Sequence, residues 1–331
     1  MEKMTAARIA LESLLPQSRL SAGEIEARLK QALSPAYWKD LCPRMSMDRC
    51  MDLEGDESQA LGGQEQGALC NQLMREGYFQ TRSLLPDTVT MRMRECVEIL
   101  RREGWPPFFT YVYAEFWQAV RIPALRQVLT SALGEGYRQV SHVITHYVKP
   151  GDGVGSESGW HPHIDFCEVG DRLTVWVALS DATLTNGCMY LIPKTKVSES
   201  VLDDFKNMRP IETNELRRLL HGTRALPVSA GTMLCWEHNV IHWGSQARPG
   251  SEPRISFSVV FLKKQAVPLD IDLPLLEINT LPGFEERLRA IGRGILYYQV
   301  HHLVVLGRFA GFAERLLVEL KKESLYGATQ R

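Results

Sequence analysis

Seven of the nine histidines in this 331-residue chain lie between residues 142 and 242, which concentrates side chains able to bind a transition metal in one stretch. The most specific local pattern there is GWHPHIDF, in which His163 and Asp165 are two residues apart. Residues i and i+2 of an extended strand point to the same face, so this imidazole and this carboxylate could bind one ion. Because the H-x-D spacing often occurs by chance, a surface loop with an incidental His and Asp is the alternative.

Arg254 and Ser256 supply a second chemical signal. The segment GTMLCWEHNVIHWGS contains His242, and RISFSVVF follows it with Arg254 and Ser256 at alternate positions. On a strand these two side chains share one face, while apolar residues occupy the other. A guanidinium on an interior face is costly unless an anion meets it, and a carboxylate matches it with two parallel hydrogen bonds. The pattern therefore predicts a bound carboxylate.

Two imidazoles and one carboxylate form the ligand set of the facial triad that binds non-haem Fe(II) in oxygenases. His163, Asp165 and His242 could supply this set. It leaves coordination positions open, so a bidentate co-substrate and dioxygen could bind the same ion together. A four-ligand structural zinc site would leave no such room.

Four segments in this order resemble the phytanoyl-CoA dioxygenase family of Fe(II)/2-oxoglutarate-dependent oxygenases: HPHID, RLTVWVALSDATLTNGCMYLIPKTK, LPVSAGTMLCWEHNVIHWGS and RISFSVVF. The resemblance extends over about residues 76–262, and the ordered spacing is more specific than any one motif. It implies a double-stranded β-helix, or jelly-roll, core. It also implies Fe(II), 2-oxoglutarate as co-substrate, and dioxygen.

The resemblance further implies roles for individual residues. The implied set is His163, Asp165 and His242 as iron ligands and catalytic centre, Arg254 at the distal carboxylate of 2-oxoglutarate, and Thr174 and Trp176 lining the 2-oxoglutarate pocket. Ser256, on the same strand face as Arg254, is predicted to bind the co-substrate with it. Family members that halogenate have a small residue in place of the carboxylate, which lets chloride bind the iron. Because this chain keeps Asp165, halogenation is disfavoured.

The chain departs from the family pattern at two points. Where the family often has W-H-x-D, Trp160 is followed by His161-Pro162-His163, so His161 is a rival iron ligand. The spacing to Asp165 favours His163. The last ligand is followed by W-G-S instead of G-S, so no role is transferred to Ser245.

Other polar residues near the motifs have less specific interpretations. His238 is expected to be structural or to support the site, and it would share a strand face with His242 if the strand ran straight. One of His142 and His146 could enter the pocket, and an exposed or hydrogen-bonded role is equally compatible. Tyr147 is a less favoured candidate for the second carboxylate of the co-substrate. We interpret three remaining features as structural: the Asn186–Gly187 turn, Cys167, and His301–His302.

The elements that must position these residues are mostly short strands. VSHVITHYV, RLTVWVAL, CMYLIP, GTMLCW and RISFSVVFL are rich in β-branched and aromatic residues and are separated by turn formers. Helices are predicted from Ser21, over residues 87–104, from Pro123 to Gly134, and after about residue 280. The predicted fold is mainly β, a jelly-roll core flanked by N- and C-terminal helices. The predicted domains are a helical arm and linker at 1–67, the oxygenase core at 68–265, and a C-terminal helical extension packed on the core at 266–331.

Composition excludes several classes of partner. The 38 Lys and Arg residues against 39 Asp and Glu residues give no global field for nucleic acid or an anionic membrane. No apolar run reaches the roughly 18 residues that a membrane span requires. The N-terminus does not resemble a secretory signal, and seven cysteines without a C-x-x-C spacing disfavour a disulfide framework. We therefore expect a cytoplasmic protein with a small-molecule substrate. The C-terminal helices, with Tyr297, Tyr298, Phe309 and Phe312, could roof a pocket, pair two subunits as a homodimer, or simply cover the core.

Three functions fit these residues. The favoured one is an Fe(II)/2-oxoglutarate-dependent oxygenase that hydroxylates, desaturates or cyclises a small molecule, with an amino-acid-like or natural-product substrate weakly preferred. A zinc-dependent hydrolase could use the same His/Asp/His set, but it leaves Arg254 and Ser256 unexplained. A non-catalytic ligand-binding jelly roll could keep the ligands without turnover.

Overall fold

The computed structural model describes residues 19–54, 60–150, 159–165, 171–269, 272, 274–299 and 306–328. Cys167 and His301–His302 lie outside the described residues. Within them, no helix combines the length and the apolar composition that crossing a bilayer would require.

The strands form two antiparallel sheets. In chain order they are β1 (Tyr78–Ser83), β2 (Arg138–Gln139), β3 (Ile144–Val148), β4 (Arg172–Ala178), β5 (Met189–Ile192), β6 (Arg224–Leu226), β7 (Thr232–Glu237), β8 (Ile241–Gly244) and β9 (Arg254–Leu262). The six-stranded sheet has the order β1-β7-β4-β9, and β2 and β3 both pair with the outer edge of β9. The three-stranded sheet has the order β6-β5-β8. The five predicted strands correspond to β3, β4, β5, β7 and β9.

The helices lie before, between and after these strands. In chain order they are α1 (Ala22–Ala32), α2 (Pro35–Leu41), α3 (Gly63–Glu76), α4 (Asp87–Arg102), α5 (Glu115–Gln118), α6 (Pro123–Leu133), α7 (Glu199–Lys206), α8 (Thr213–Gly222), α9 (Phe284–Tyr298) and α10 (Ala310–Ala328). Short 3-10 helices span Met51–Leu53, Pro107–Val112, Lys194–Lys196 and Gly307–Phe309. The capping box predicted at Ser21 is present, since Ser21 and Glu24 bond each other's backbone N–H groups.

The described helices contain more than twice as many residues as the described strands, so the prediction of a mainly β chain is wrong in proportion. The fold is a mixture of helix and antiparallel sheet. Two helices, α7 and α8, lie between β5 and β6, inside the stretch expected to be β. Both helices have charged sequences with apolar residues at helical spacing. The β-rich motifs on either side favoured a prediction of strands for the whole stretch.

The chain passes from one sheet to the other between β7 and β8. Residues 238–240 form a turn, so Glu237 ends a strand of the larger sheet and Ile241 begins a strand of the smaller one. The sequence GTMLCWEHNVIHWGS therefore holds two strands instead of one straight strand. His238 and His242 lie on different elements, and the two sheets meet at this crossing.

One cluster of buried aromatic side chains connects helix α2, near the N-terminus, with helix α10, near the C-terminus. Trp38 of α2 is fully buried and stacks on Phe109, with ring centroids 5.3 Å apart. Trp105 packs on the same rings, and Phe312 of α10 meets Phe109 at 5.8 Å. The N-terminal and C-terminal helices thus share the largest hydrophobic core with the 3-10 helix at Pro107–Val112. The domain boundaries after residues 67 and 265 stay predictions.

Replacement of Trp38 by alanine tests whether the N-terminal helices belong to this core. We expect Trp38→Ala to lower the free energy of unfolding by about 3–5 kcal/mol, because it removes a fully buried indole and leaves a cavity. Urea unfolding measures the change. Leu220→Ala, at a side chain that is 65% exposed, is the control and should change stability by less than about 0.5 kcal/mol. A loss below about 1 kcal/mol for Trp38→Ala would show that the arm does not stabilise the fold.

Candidate metal centre and its cavity

One group of three side chains in the described part of the chain could hold a metal ion. Single ligand atoms of His163, Asp165 and His242 all lie within 4.8 Å of one another. Asp165 Oδ1 is 3.7 Å from His163 Nε2 and 3.5 Å from His242 Nε2. The structure therefore brings together the three residues predicted as a triad, although Asp165 and His242 are far apart in sequence.

A backbone pairing holds the two histidines side by side. His163 N–H donates to the His242 carbonyl at 3.0 Å, and His242 N–H donates back to the His163 carbonyl at 2.9 Å. Trp160 N–H continues the pairing by donating to the Gly244 carbonyl at 3.0 Å. Residues directly opposite on antiparallel strands project to the same side, so the imidazole rings meet with centroids 4.3 Å apart.

Both imidazoles are turned so that Nε2 faces Asp165. Nδ1 of His163 lies 2.8 Å from the His161 carbonyl, and Nδ1 of His242 lies 2.9 Å from the Val240 carbonyl. A carbonyl can only accept a hydrogen bond, so each Nδ1 carries the proton and each Nε2 offers its lone pair. Fixing a ligand's tautomer through its second nitrogen is typical of metal-binding histidines.

The carboxylate of Asp165 is oriented in the same way. Its Oδ2 accepts hydrogen bonds from Thr174 Oγ1 at 2.7 Å and from Trp236 Nε1 at 3.0 Å. These two donors, on β4 and β7, leave Oδ1 directed at the imidazoles. Asp165 therefore presents one oxygen to an ion and uses the other to fix its own position.

The protonation of these groups suits a divalent cation. Burial raises the pKa of Asp165, but the charge that His242, His238 and His163 can carry outweighs it and holds that pKa below its usual range. Burial, and then His242, lower the pKa of His163 to about 4. Near neutral pH the site thus offers an anionic carboxylate and a neutral His163, which is the form a metal ion requires. Three converging donors of this type fit non-haem Fe(II) with positions left open.

His161, the rival ligand, does not belong to this group. Its side chain is exposed, and it contributes its backbone carbonyl to His163. His238 contacts the group indirectly, through Thr174, because its Nε2 is 3.0 Å from Thr174 Oγ1. Since Thr174 donates its hydroxyl proton to Asp165, His238 must be the donor to Thr174. Burial lowers the pKa of His238 to about 4, which favours this neutral form.

Arg254 is a buried cation at one end of the same cavity. It is 1% exposed, and within the described residues no carboxylate forms an ion pair with it. Its Nη1 donates to Ser256 Oγ at 3.0 Å, and its Nε is buried without an acceptor. Burial lowers its pKa to about 10, so it remains charged near neutral pH. A Cβ at Gly244 would lie 3.1 Å from Nη2, so the glycine leaves room for the guanidinium.

Thr174 and Trp176 both line the cavity, but they contact different parts of it. Thr174 touches the carboxylate of Asp165, as described above. The Trp176 ring lies against Arg254, with the guanidinium carbon 5.6 Å from its centroid. The Trp176 indole N–H is buried and has no acceptor in the described structure. Ser256 reaches the cavity only through its bond to Arg254.

The cavity between the sheets has a volume of about 330 Å³, within the range of small-molecule sites. Strands β3, β4, β7 and β9 form one side and β5 and β8 the other.

Both His142 and His146 line this cavity, so neither has the purely exposed role that was the alternative. Tyr147 does not line it and packs under Arg101, 3.6 Å from the ring centroid. Asn186 closes a turn by bonding Thr183 N and Asp181 O.

Sequence patterns missed several residues of the cavity. Those that no motif predicted include Trp160, Arg172, Met189, Trp236, Leu269 and Asp272. Strand alternation could have predicted Arg172 and Trp236. Arg172 lies two residues before Thr174 and so shares its face of β4, and Trp236 on β7 pairs directly with Thr174. Leu269 and Asp272 come from a segment without any motif, so only the fold could place them. Tyr297 and Tyr298 line the cavity, which agrees with the pocket-roofing alternative for the C-terminal helices.

Comparison with known proteins supports the family resemblance. Residues 110–255 match the family model described as phytanoyl-CoA dioxygenase (PhyH), which confirms the predicted resemblance over that range. The phytanoyl-CoA dioxygenase domain-containing protein 1 homolog of Caenorhabditis briggsae is 27% identical over 146 residues, covering 40% of this chain and 50% of the relative. This chain thus spans about half the length of the curated relative.

Two enzymes of nogalamycin biosynthesis are among the solved structures that this chain matches distantly. One is the epimerase SnoN in complex with Fe3+, alpha ketoglutarate and nogalamycin RO, with a TM-score of 0.49, 17% identity, and coverage of 67% of this chain and 92% of that chain. The other is the non-heme alpha ketoglutarate dependent carbocyclase SnoK, with a TM-score of 0.46, 18% identity, and coverage of 61% and 84%. At these TM-scores the likeness is too distant to say what this chain does.

Removing the Thr174 hydroxyl tests the second contact on Asp165. We expect Thr174→Val to weaken binding of Fe(II) by about 10–100-fold, because the carboxylate loses a donor that fixes its orientation. Anaerobic calorimetric titration measures the affinity. Thr223→Val, whose hydroxyl bonds the Leu219 carbonyl away from the cavity, is the matched control and should bind as the parent does. Unchanged affinity in Thr174→Val would mean that this hydrogen bond does not position the ligand.

The two neighbouring histidines give a sharper comparison. His163→Ala should lose more Fe(II) affinity than the roughly 10–100-fold expected for an outer contact, because it removes a ligand atom. His161→Ala should bind within a few-fold of the parent, since His161 lines the cavity without supplying one of the three grouped ligand atoms, and its backbone carbonyl at His163 Nδ1 is retained. The same anaerobic titration compares them. If His161→Ala loses the ion and His163→Ala keeps it, the ligand has been misassigned.

Proposed function

We propose that this chain is an Fe(II)- and 2-oxoglutarate-dependent oxygenase that oxidises a C–H bond of a small molecule. The match of residues 110–255 to the phytanoyl-CoA dioxygenase model is the premise. The observation that carries the proposal is the joint presence of two elements in one cavity. These are the His163–Asp165–His242 group and a buried Arg254 without a described anionic partner.

The metal would be held by His163 Nε2, Asp165 Oδ1 and His242 Nε2. Bound iron of this ligand type supplies the activation of dioxygen at the positions that the protein leaves open. The chain's own part is to keep these three atoms in place. The carbonyls of residues 161 and 240 do so for the imidazoles, and Thr174 and Trp236 do so for the carboxylate.

The co-substrate would be held at its far end by Arg254. A buried guanidinium with unused donors is matched best by a carboxylate, which forms two parallel hydrogen bonds with it. Ser256 steadies Nη1 of Arg254, and the Trp176 ring covers the guanidinium. A keto diacid spanning from this cation to the metal group would present its keto acid end to the ion.

In the proposed reaction, 2-oxoglutarate and dioxygen give succinate and carbon dioxide while the substrate loses two electrons. One oxygen atom enters succinate. The other enters the product as a hydroxyl group, or leaves as water when the substrate is desaturated or cyclised. Because Asp165 is present, we do not expect halogenation. The arrangement of two antiparallel sheets around the cavity supports the double-stranded β-helix as the finer description of the fold.

Two competing functions account for less of the structure. A zinc hydrolase would use His163, Asp165 and His242 but would leave a buried, unpaired Arg254 without a purpose. A non-catalytic binding protein would keep both features and show no turnover. A cytoplasmic location and a homodimer through the C-terminal helices stay predictions.

Anaerobic spectroscopy and product analysis separate these functions. Adding 2-oxoglutarate to the Fe(II)-loaded protein should produce a weak visible charge-transfer band, and a hydrolase would give none. With oxygen present, succinate release should rise with some members of a panel of amino acids, acyl-CoA thioesters and hydroxylated natural products. Neither band nor succinate across the panel would contradict the proposal, whereas a band without any turnover would favour the binding protein.

Truncating Arg254 tests the co-substrate contact. We expect Arg254→Ala to weaken 2-oxoglutarate binding by about 2–5 kcal/mol, the cost of breaking a buried charge pair. Calorimetry on the anaerobic Fe(II) protein measures this change, and retained Fe(II) affinity shows that the fold is intact. Arg248→Ala, at an exposed arginine, is the control. Equal 2-oxoglutarate affinity in Arg254→Ala and the parent would remove Arg254 from the site.

A further inference from the structure

The cavity has a second end, beyond the metal group and away from Arg254. On β4, Trp176 lies opposite Ser258 and Arg172 lies opposite Leu262, with Thr174 between them. Arg254 stands at the other end of β9. Because Thr174 touches Asp165, the candidate metal group sits between a cavity end marked by Arg254 and one marked by Arg172.

We propose that the Arg172 end is the substrate subsite and that it takes a neutral ring compound bearing a hydroxyl group. That its ligand is the molecule oxidised rests on the proposed function, but the presence of the subsite does not. Four residues form it: Arg172, Asp272, His142 and Tyr297.

A buried ion pair forms the floor of this end. Arg172 Nη2 is 2.6 Å from Asp272 Oδ2, and the two side chains are only 5% and 1% exposed. The backbone N–H of Leu269 also donates to Oδ2 at 2.7 Å. The pair carries no net charge, so it gives no overall preference for a charged ligand. Bringing an unpaired charge next to it would be costly in so dry a place.

The second oxygen of Asp272 is the feature that points to a ligand. Asp272 lines the cavity and is fully buried, yet its Oδ1 has no hydrogen-bond donor in the described structure. A buried acceptor left without a partner is unfavourable, and such groups are normally satisfied. A donor on a bound molecule would satisfy this one.

The neighbouring charges select the kind of donor. An ammonium group at Oδ1 would also lie close to Arg172, which already holds the other oxygen, so like charges would oppose it. A carboxylate would meet Asp272 itself. A hydroxyl group can donate to Oδ1 without a charge of its own. The geometry therefore favours a neutral hydroxyl over either ion.

Aromatic rings form the wall above this pair. The His142 and Tyr297 rings lie 5.3 Å apart at an interplanar angle of 33°, and Tyr298 meets Tyr297 edge-on at 4.8 Å. Tyr297 is 42% exposed, so part of this wall is open to a ligand. Aromatic faces with one polar group beneath them suit a ring with a polar substituent.

Much of this end of the cavity lies outside the family match. The match ends at residue 255, whereas Leu269, Asp272, Tyr297 and Tyr298 come later in the chain. The segment after the last strand thus contributes to selecting the ligand as well as to packing against the core. The 330 Å³ volume, shared with the co-substrate, limits the enclosed part of the ligand to a small ring system.

Three probes that differ in one substituent test this inference: benzyl alcohol, benzylammonium and toluene. Their dissociation constants are measured by ligand-observed NMR on the purified full chain loaded with Zn(II), which compensates the Asp165 carboxylate of the same cavity, and without 2-oxoglutarate. We expect benzyl alcohol to bind at least about threefold more tightly than either of the others, the effect of one net hydrogen bond. Because no turnover is measured, this test can fail while the proposed oxygenase activity stands, and the reverse.

Variants then locate the binding. Tyr297→Ala removes an exposed wall residue, and Asp272→Asn puts an N–H donor where the acceptor was, because Arg172 takes the amide oxygen. Each should weaken benzyl alcohol binding at least about threefold. Tyr190→Ala, at a partly exposed tyrosine that stacks on Trp243 outside the cavity, should leave it unchanged.

The inference is overturned if benzyl alcohol does not bind at millimolar concentration. It is also overturned if benzylammonium or toluene binds as tightly, or if Tyr297→Ala has no effect. Should Asp272→Asn fail to fold, the ranking of the three probes and Tyr297→Ala decide the outcome.

Discussion

Two backbone hydrogen bonds between His163 and His242 are the constraint on which the candidate centre depends. They attach the segment at residues 160–163 to the free edge of β8, and so bring two imidazoles from distant parts of the chain face to face. Backbone pairing of this kind is specific in register, because a shift of one residue would turn the side chain to the other face. The sheet therefore brings the two imidazoles together, and the hydrogen bonds from Nδ1 to the carbonyls of residues 161 and 240 fix which way they turn.

The larger sheet positions the carboxylate of the candidate centre, whereas the two imidazoles meet at the edge of the smaller sheet. Asp165 follows the paired segment, and its Oδ2 is held by donors from β4 and β7, both strands of the larger sheet. Desolvation in a cavity would normally drive an acidic group towards its neutral form. The hydrogen bonds and the surrounding imidazoles reverse this tendency, so the site keeps a negative charge. The cavity between the sheets thus has a carboxylate near its centre, Arg254 at one end and the Arg172–Asp272 pair at the other.

The sequence predicted much of the centre and less of its surroundings. Alternation and ordered spacing pointed to His163, Asp165, His242 and Arg254, because extended chain has a fixed two-residue period. Only His242 and Arg254 lie on strands, whereas His163 forms an isolated bridge with His242 and Asp165 follows it in a bend. The same rule failed at residues 238–240, where a turn between sheets breaks the period. The predicted proportion of helix is too low. Of the C-terminal segment, the sequence offered Tyr297 and Tyr298 as one possible pocket roof, but it gave no indication of Leu269 or Asp272. No local pattern records which distant helix will cover a cavity, since that depends on how the helices pack around the core.

Helix α9 packs in the hydrophobic core along most of its length and lines the cavity at its last turn. Ile291 and Ile295 are fully buried in the core, whereas Tyr297, at the end of the helix, is partly open to the cavity. Changes at the isoleucines would alter how firmly the helix is seated, while changes at the tyrosine would reshape the cavity with little effect on that seating. Divergence of ligand preference among related chains could therefore proceed through the last turn of one helix, leaving the ion-binding residues untouched.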